Sequence, residues 1–525
     1  MKKLMIWLGL VLLMPLLWGQ STDLYLVYFE KKSAPSPEAG YLSLAAQQRR
    51  VRQGLPACDW YDLPVDLRYV AQVAPRVDSL RYVLRWFNAV SVTATPEQAQ
   101  GLRHLPGVCH VEKLGRTEST LAAGPALAAP TRNFDTLLAM QRNLMELDTL
   151  LHRRLSGRGV RIAIFDAGFK GADTHPALAL SQVQATRDFY GGDSSVYHHA
   201  WHGTEVMSCI AGYYEDRQLG AAPDAEFLLA RVEHKWWEPQ REEDHWMAAA
   251  EWAEKEGADL IHSSLGFLKR GYAYGPGGRS LSPVSQAARI ATEKGVLVIN
   301  SMGNQGLEQP AAIGAPAEVP EVLSVGGSLP MLRERIPFST PGPNVAGFTK
   351  PDVAAPGFVL GPKRKGAYTE LAGTSYAAPL ITGVAACLLQ AEPGLNPADL
   401  HARLREAGHF YPYYDYELGY GVVQASRLFS DSESPARSTF RLALRSDSVI
   451  LAFDSLTMVQ DSVSHPYGRM LYYQLMDEQG RILAAQAVRI PNQARYYYFL
   501  RRRDVRGWIR VWFEGYLFEK LVEEK

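Results

Sequence analysis

Between Val160 and about Phe429, short runs of continuous apolar residues recur, among them VRIAIF, FLLARV, DLIHSSL and GVLVIN, separated by stretches of helical periodicity. Runs of that length without polar alternation suit strands covered on both faces, which predicts a three-layer α/β unit with a central, mostly parallel sheet. From Asp23 to about Leu114 the pattern is different. There YLVYFE, YVLRWF and AVSVTA read as strands, and a basic stretch from Ala45 to Gln53 reads as a helix. A further helix opens at Thr95, with threonine as cap, Pro96 at the first helical position and Gln98 at the third. The sum is a small α+β module. Beyond Ser430, alternating runs such as STFRLALRS, SVILAFDS, MLYYQLMDE and WIRVWFEGY predict a small β-sandwich.

The connections set the boundaries. Lys2-Lys3 followed by apolar residues from Leu4 to Trp18 is short for a membrane span and fits an export signal cut near Gly19 or Gln20. The run GRTESTLAAGPALAAP, Gly115 to Pro130, is small, polar and proline-punctuated, so it reads as an exposed linker and a place for proteolytic nicking. The expected organisation is therefore a signal at 1–20, the α+β module at 21–114, the linker at 115–130, the α/β unit at 131–429 and the sandwich at 430–525.

With 525 residues, three folded units are expected. Lysine plus arginine and aspartate plus glutamate both total 55, so zero formal net charge gives no electrostatic case for a nucleic-acid partner. Four cysteines are too few for a disulfide scaffold in a chain of this size. Cys58 and Cys109 fall in one module and are candidates to pair, against the alternative that all four are small buried side chains.

Four segments carry candidate chemistry. In IAIFDAG, Asp166 ends an apolar strand, and the carboxyl ends of parallel strands are where sites collect. In HGTEVMSCIAG, His202 opens a helix whose residues Val206, Cys209 and Ile210 share an apolar face. In GVLVINSMGNQG, a buried strand leads to a glycine-flanked turn holding Asn304, whose amide is a donor that takes up no charge. In ELAGTSYAAPLITGVAACLL, Ser375 stands at the start of a helix apolar nearly all round, where backbone N–H groups point outward and negative charge is favoured. Pro379, four residues on, has no N–H to give the carbonyl of Ser375, so the helix start is irregular.

Hydrolysing a peptide bond takes a nucleophile, a base, a carboxylate to orient the base and donors for the oxyanion, and one candidate exists for each. Their order, Asp then His then Ser, differs from that in chymotrypsin and the α/β-hydrolases. Over roughly residues 133 to 426 these segments resemble the subtilase family of serine proteases. The resemblance implies a secreted or surface-bound bacterial endopeptidase that forms an acyl-enzyme on Ser375, with His202 as general base and acid, Asp166 orienting it, and Asn304 and the Ser375 N–H binding the oxyanion. It implies pocket walls for a protein or peptide substrate at Ser264-Leu265-Gly266 and Ser301-Met302-Gly303, with Gly314 as the floor. It also implies a cis bond at Ala315-Pro316. Ala167 departs from the family, which often has Ser or Thr there.

The stretch FNAVSVTATPEQAQGLRHLPGVCHVE resembles the inhibitor-like propeptide of subtilases, a four-stranded sheet with two helices, which makes the N-terminal module an intramolecular inhibitor. The ending of the chain weakly resembles sorting modules of surface-exported bacterial proteins, so surface-export machinery is a partner candidate beside a purely accessory sandwich. No cofactor is needed for the chemistry, no metal ligand set is assigned, and no dense Asp/Asn loop marks a calcium site. The cluster KWWEPQREED, from Lys235, is expected either beside the cleft or as a solvated loop anchored by its two aromatic residues. The alternative to the enzyme is a catalytically silent surface protein that keeps the fold for binding.

Overall fold

The computed structural model describes residues 22–32, 40–114, 118–119, 133–233, 242–268, 282–307, 313–329, 334–429, 438–445, 447–454, 469–491, 493–500 and 506–522. The export signal, most of the linker and residues 235–241 of the tryptophan-acid cluster lie outside them. Two compact units divide the chain, one of residues 1–35 and 63–114, the other of 36–62 and 115–525.

In the smaller unit, strands β1 (Asp23–Phe29), β2 (Ser79–Leu84), β3 (Ala89–Ala94) and β4 (Val108–Lys113) form an antiparallel sheet of order β2-β3-β1-β4. Two helices, Leu67–Val73 and Pro96–Leu102, accompany it. The second opens as its sequence predicts. Gln98 N donates to the Thr95 hydroxyl and Thr95 N donates to the Gln98 side chain, a reciprocal capping box. Val27, Val90, Val92, Val111 and Leu102 fill the core.

The larger unit begins with helix α1 (Leu44–Arg52), whose sequence neighbours on both sides belong to the smaller one. Its sheet is built from β5 (Arg161–Asp166), β6 (Gln182–Asp188), β7 (Glu226–Arg231), β8 (Leu260–Ser263), β9 (Leu297–Ser301), β10 (Leu323–Ser328) and β11 (Val353–Pro356), in the order β11-β10-β9-β8-β5-β7-β6. Every pairing is parallel. The strand order reverses around neighbours β5 and β8, and crevices at such reversals are where open α/β sheets bind ligands.

Helices cover both faces. Ile162 and Ile164 of β5 share a core with α2 (His202–Ala211) and α5 (Thr374–Ala391), whereas Phe165 turns the other way and meets Trp246 of α3 (Glu242–Lys255) edge to face at 5.5 Å. Helix α4 (Pro283–Glu293) lies on the chain between β8 and β9. Among the described residues α5 is the one helix long and apolar enough to cross a membrane, and it is buried in this core instead.

The C-terminal strands form sheets of three and four strands around a shared apolar core, the predicted sandwich. It adds directly to the larger unit: Tyr472 and Trp512 belong to the main core and meet Phe410 edge to face, and Gln474 Nε2 donates to Tyr414 O at 2.6 Å. All four cysteines carry free thiols, Cys209 and Cys387 within the core.

Candidate active site

Asp166 ends β5 fully buried, and its Oδ1 accepts from the backbone N–H of Ala167 at 2.7 Å. Its Oδ2 lies 2.8 Å from Nδ1 of His202, the first residue of α2. Two glycines permit this approach. Gly203 N donates to Gly168 O at 3.1 Å, and a Cβ on Gly203 would stand 2.5 Å from that same oxygen. A Cβ on Gly168 would meet Ala200 N at 2.6 Å. Ala167 thus offers the carboxylate its backbone N–H and no side-chain hydroxyl.

Ser264, Leu265, Gly266, Ser301, Met302, Gly303, Asn304, Gly314, Thr374 and Ser375 line a single shallow cleft. Every pocket residue expected from sequence lies on it, with Asn304 and Ser375. A Cβ on Gly314 would stand 3.0 Å from Phe267 N and 3.1 Å from Gly266, so that glycine keeps the floor open. The Ala315-Pro316 bond is cis, as the resemblance implied. Asn304 Oδ1 accepts from both the N–H and the hydroxyl of Thr374, at 3.0 and 2.9 Å. That orients the amide with its oxygen anchored and its nitrogen as the donor end.

Three side chains that sequence reading did not single out organise the pocket. Asn300, wholly buried, donates to Leu265 O and Ser301 O, both at 2.9 Å, and so joins the two walls. Tyr376 packs its ring 5.7 Å from that of His202 and gives its hydroxyl to Glu205 of α2 at 2.7 Å. His262 bridges Thr382 Oγ1 and Ser264 Oγ, each at 2.9 Å. The Ser264 hydroxyl in turn donates to Ser375 O at 3.0 Å, the carbonyl that Pro379 cannot serve. Ser264 spends its proton there, and the Thr382 hydroxyl has Ala378 O within reach at 3.1 Å, so the single N–H of a neutral His262 serves one of the two hydroxyl oxygens. Burial, with a smaller contribution from His202, pushes the His262 imidazole down to about 3, so it stays neutral. The signal for this network was in the sequence: a proline that strips a buried carbonyl of its donor calls for a replacement.

The described part of the linker, Glu118–Ser119, pairs antiparallel with Phe267–Leu268, Ser119 opposite Phe267. The chain therefore runs along the strand that follows the Ser264-Leu265-Gly266 wall, toward that wall. Elsewhere, Asp188, Asp193 and His199 offer ligand atoms within 4.8 Å of one another, and Arg231 already gives Asp188 its cation at 2.8 Å.

Residues 157–421 match the subtilase family, and residues 24–124 match the Peptidase S8 propeptide domain of Bacteroidota. A probable subtilase-type serine protease of Deinococcus radiodurans is 28% identical over 342 residues, 56% of this chain and 44% of its own. M-protease of Shouchella clausii is 30% identical over 48% of this chain and 60% of its own. Subtilisin BL of Lederbergia lenta is 29% identical over 48% of this chain and 85% of its own. The chain thus spans less than two thirds of the length of the first two. Among solved structures, fervidolysin from Fervidobacterium pennivorans, a keratinolytic enzyme related to subtilisin, superposes with a TM-score of 0.57 at 19% identity, over 94% of this chain and 71% of that one, a likeness of fold. With the subtilase match spanning half of the sequence and taking in Asp166, His202, Asn304 and Ser375, the chain belongs to the subtilase family.

Proposed function

We propose that this protein is a secreted serine endopeptidase. Ser375 attacks the scissile carbonyl, His202 takes the hydroxyl proton and later returns it to the leaving amine, and Asp166 holds the imidazole in the tautomer that can do so. The oxyanion is bound by the Asn304 amide and by the N–H of Ser375 at the start of α5. Water then hydrolyses the acyl-enzyme. The carrying observation is the 2.8 Å contact of His202 with a fully buried Asp166, together with a pocket lined at once by Ser375, Asn304 and both substrate walls.

Substrate adds as an extended strand along the wall at 264–266, and the pairing of Glu118–Ser119 with the strand just beyond it favours this reading. Residues 1–20 direct export, 21–114 act as an inhibitory propeptide, the linker at 115–130 is cut on maturation, and 131–429 carry the chemistry. The sandwich at 430–525 is an accessory part of the protease, favoured over a sorting module by its share in the main core. A fluorophosphonate probe should label the mature protein, and Ser375→Ala should abolish both labelling and peptide hydrolysis. An unlabelled, folded wild type that cleaves no peptide would falsify the proposal.

A further inference from the structure

Residues 36–62 interrupt the smaller unit in sequence, yet they group with the larger one. Helix α1 sits there inside out. Arg49 and Arg50 are 0% and 2% exposed, while Leu44 and Val51 are 69% and 77% exposed. A helix that hides its cations and turns aliphatic side chains to solvent needs a specific receiver, because a buried guanidinium without partners costs several kcal/mol on the order of Born desolvation in proteins.

The receiver is the pair of C-terminal ends of α3 and α4. Arg49 Nη1 donates to Ala258 O at 2.6 Å and Glu254 O at 3.4 Å, and its Nη2 donates to Glu254 Oε1 at 2.5 Å and Lys294 O at 3.4 Å. Arg50 reaches the same Oε1 at 2.8 Å and grips both oxygens of Asp62 at 2.8 and 2.9 Å. Gln53 Nε2 donates to Gly295 O at 3.1 Å. Lys294 answers from the other side, 2.8 Å from Asp59 and from Asp62. Orphan carbonyls and the negative pole of a helix end suit cations in just these places.

The fit is steric as well. Gly257 and Gly295 both have φ of +88°; a Cβ on the first would stand 2.6 Å from that of Ala45, and on the second 2.1 Å from Gln53 Oε1. Nearly every group at the joint is also one that water solvates well once the halves part. Permanent interfaces are built instead from apolar surface.

We propose that the ends of α3 and α4 form a docking site for a di-arginine helix, through which residues 40–62 keep the N-terminal unit attached after the linker is cut. Both ends of this segment run into the N-terminal unit, so the leash holds whichever linker bond breaks. The proposal rests on the reading of that unit as a cleaved inhibitor.

The test uses the full chain carrying Ser375→Ala, with a recognition sequence for an added site-specific protease placed in the linker. After cutting, the rate at which the N-terminal fragment leaves is followed by size exclusion and native mass spectrometry. The fragment should stay bound, and Arg49→Ala/Arg50→Ala should release it at least about tenfold faster. Glu254→Gln, on the receiving side, should also speed release. If the double alanine variant does not fold, Arg49→Lys/Arg50→Lys, which keeps charge but loses the bidentate fork, takes its place with the same expectation. Equal release from the unmodified and substituted chains, or immediate loss from the unmodified one, overturns the proposal. The readout is association alone, so a chain that kept its fragment through the arginines but hydrolysed nothing would defeat the peptidase reading and leave the docking site standing.

Discussion

The hydroxyl of Ser264 donates to the carbonyl oxygen of Ser375 across 3.0 Å. It stands in for the amide that Pro379 lacks, at the residue whose position decides whether attack is in line. Ser264→Ala strips that carbonyl of its donor. The expected cost is about 1–3 kcal/mol in thermal or denaturant unfolding. A fall in kcat of up to about 10²-fold should accompany it, because small displacements of a nucleophile are expensive in rate.

His262 gives a pH signature. Unfolded, it takes up a proton near pH 6.5; folded, burial holds it neutral down to about 3. Between those values the unfolded chain binds the extra proton, so this residue's contribution to stability is complete above pH 6.5 and is lost as pH falls toward 3. His262→Gln should lose less stability over that interval than wild type, by on the order of a few kcal/mol, when unfolding curves are compared at each pH. Parallel curves for the two proteins would contradict the buried neutral imidazole.

Asn304 is expected to act in the transition state rather than in binding. In subtilisin itself, the reference case for such a donor, its removal lowers turnover about 10²–10³-fold. Asn304→Ala should reproduce a fall in kcat of that order with KM little changed, measured on a peptide substrate.

Maturation should leave a defined N-terminus. Ser119 lies opposite Phe267 and Glu118 opposite Leu268, so the linker enters antiparallel to the strand that follows the Ser264-Leu265-Gly266 wall. N-terminal sequencing of the secreted protein should therefore give a start downstream of Ser119 and within the linker, as an added strand entering the cleft requires. A start well upstream of Ser119 would show that this strand does not lie along the cleft as a cleavage product.

The motif residues were legible because chemistry restricts them: an acid at a strand end, a histidine at a helix start and a serine before a buried helix admit few other placements together. The three-layer sheet was legible from its unbroken apolar runs. His262 was not, since within DLIHSSL it reads as one more strand position, and only the count of donors around Pro379 gives it a task. The placement of residues 36–62 was also hidden. A basic helix reads as solvent-facing by default, and Arg49 and Arg50 reverse that default through partners more than 200 residues away in sequence, Glu254 foremost.

The packing of Phe410 against Tyr472 and Trp512 has a practical corollary for anyone preparing this protein. Trimming the chain at the end of the α/β unit would uncover an aromatic patch that now lies in the interior, and such surfaces drive self-association. A shortened product that precipitates on expression would then report a missing wall of the molecule, and would say nothing against its catalytic competence.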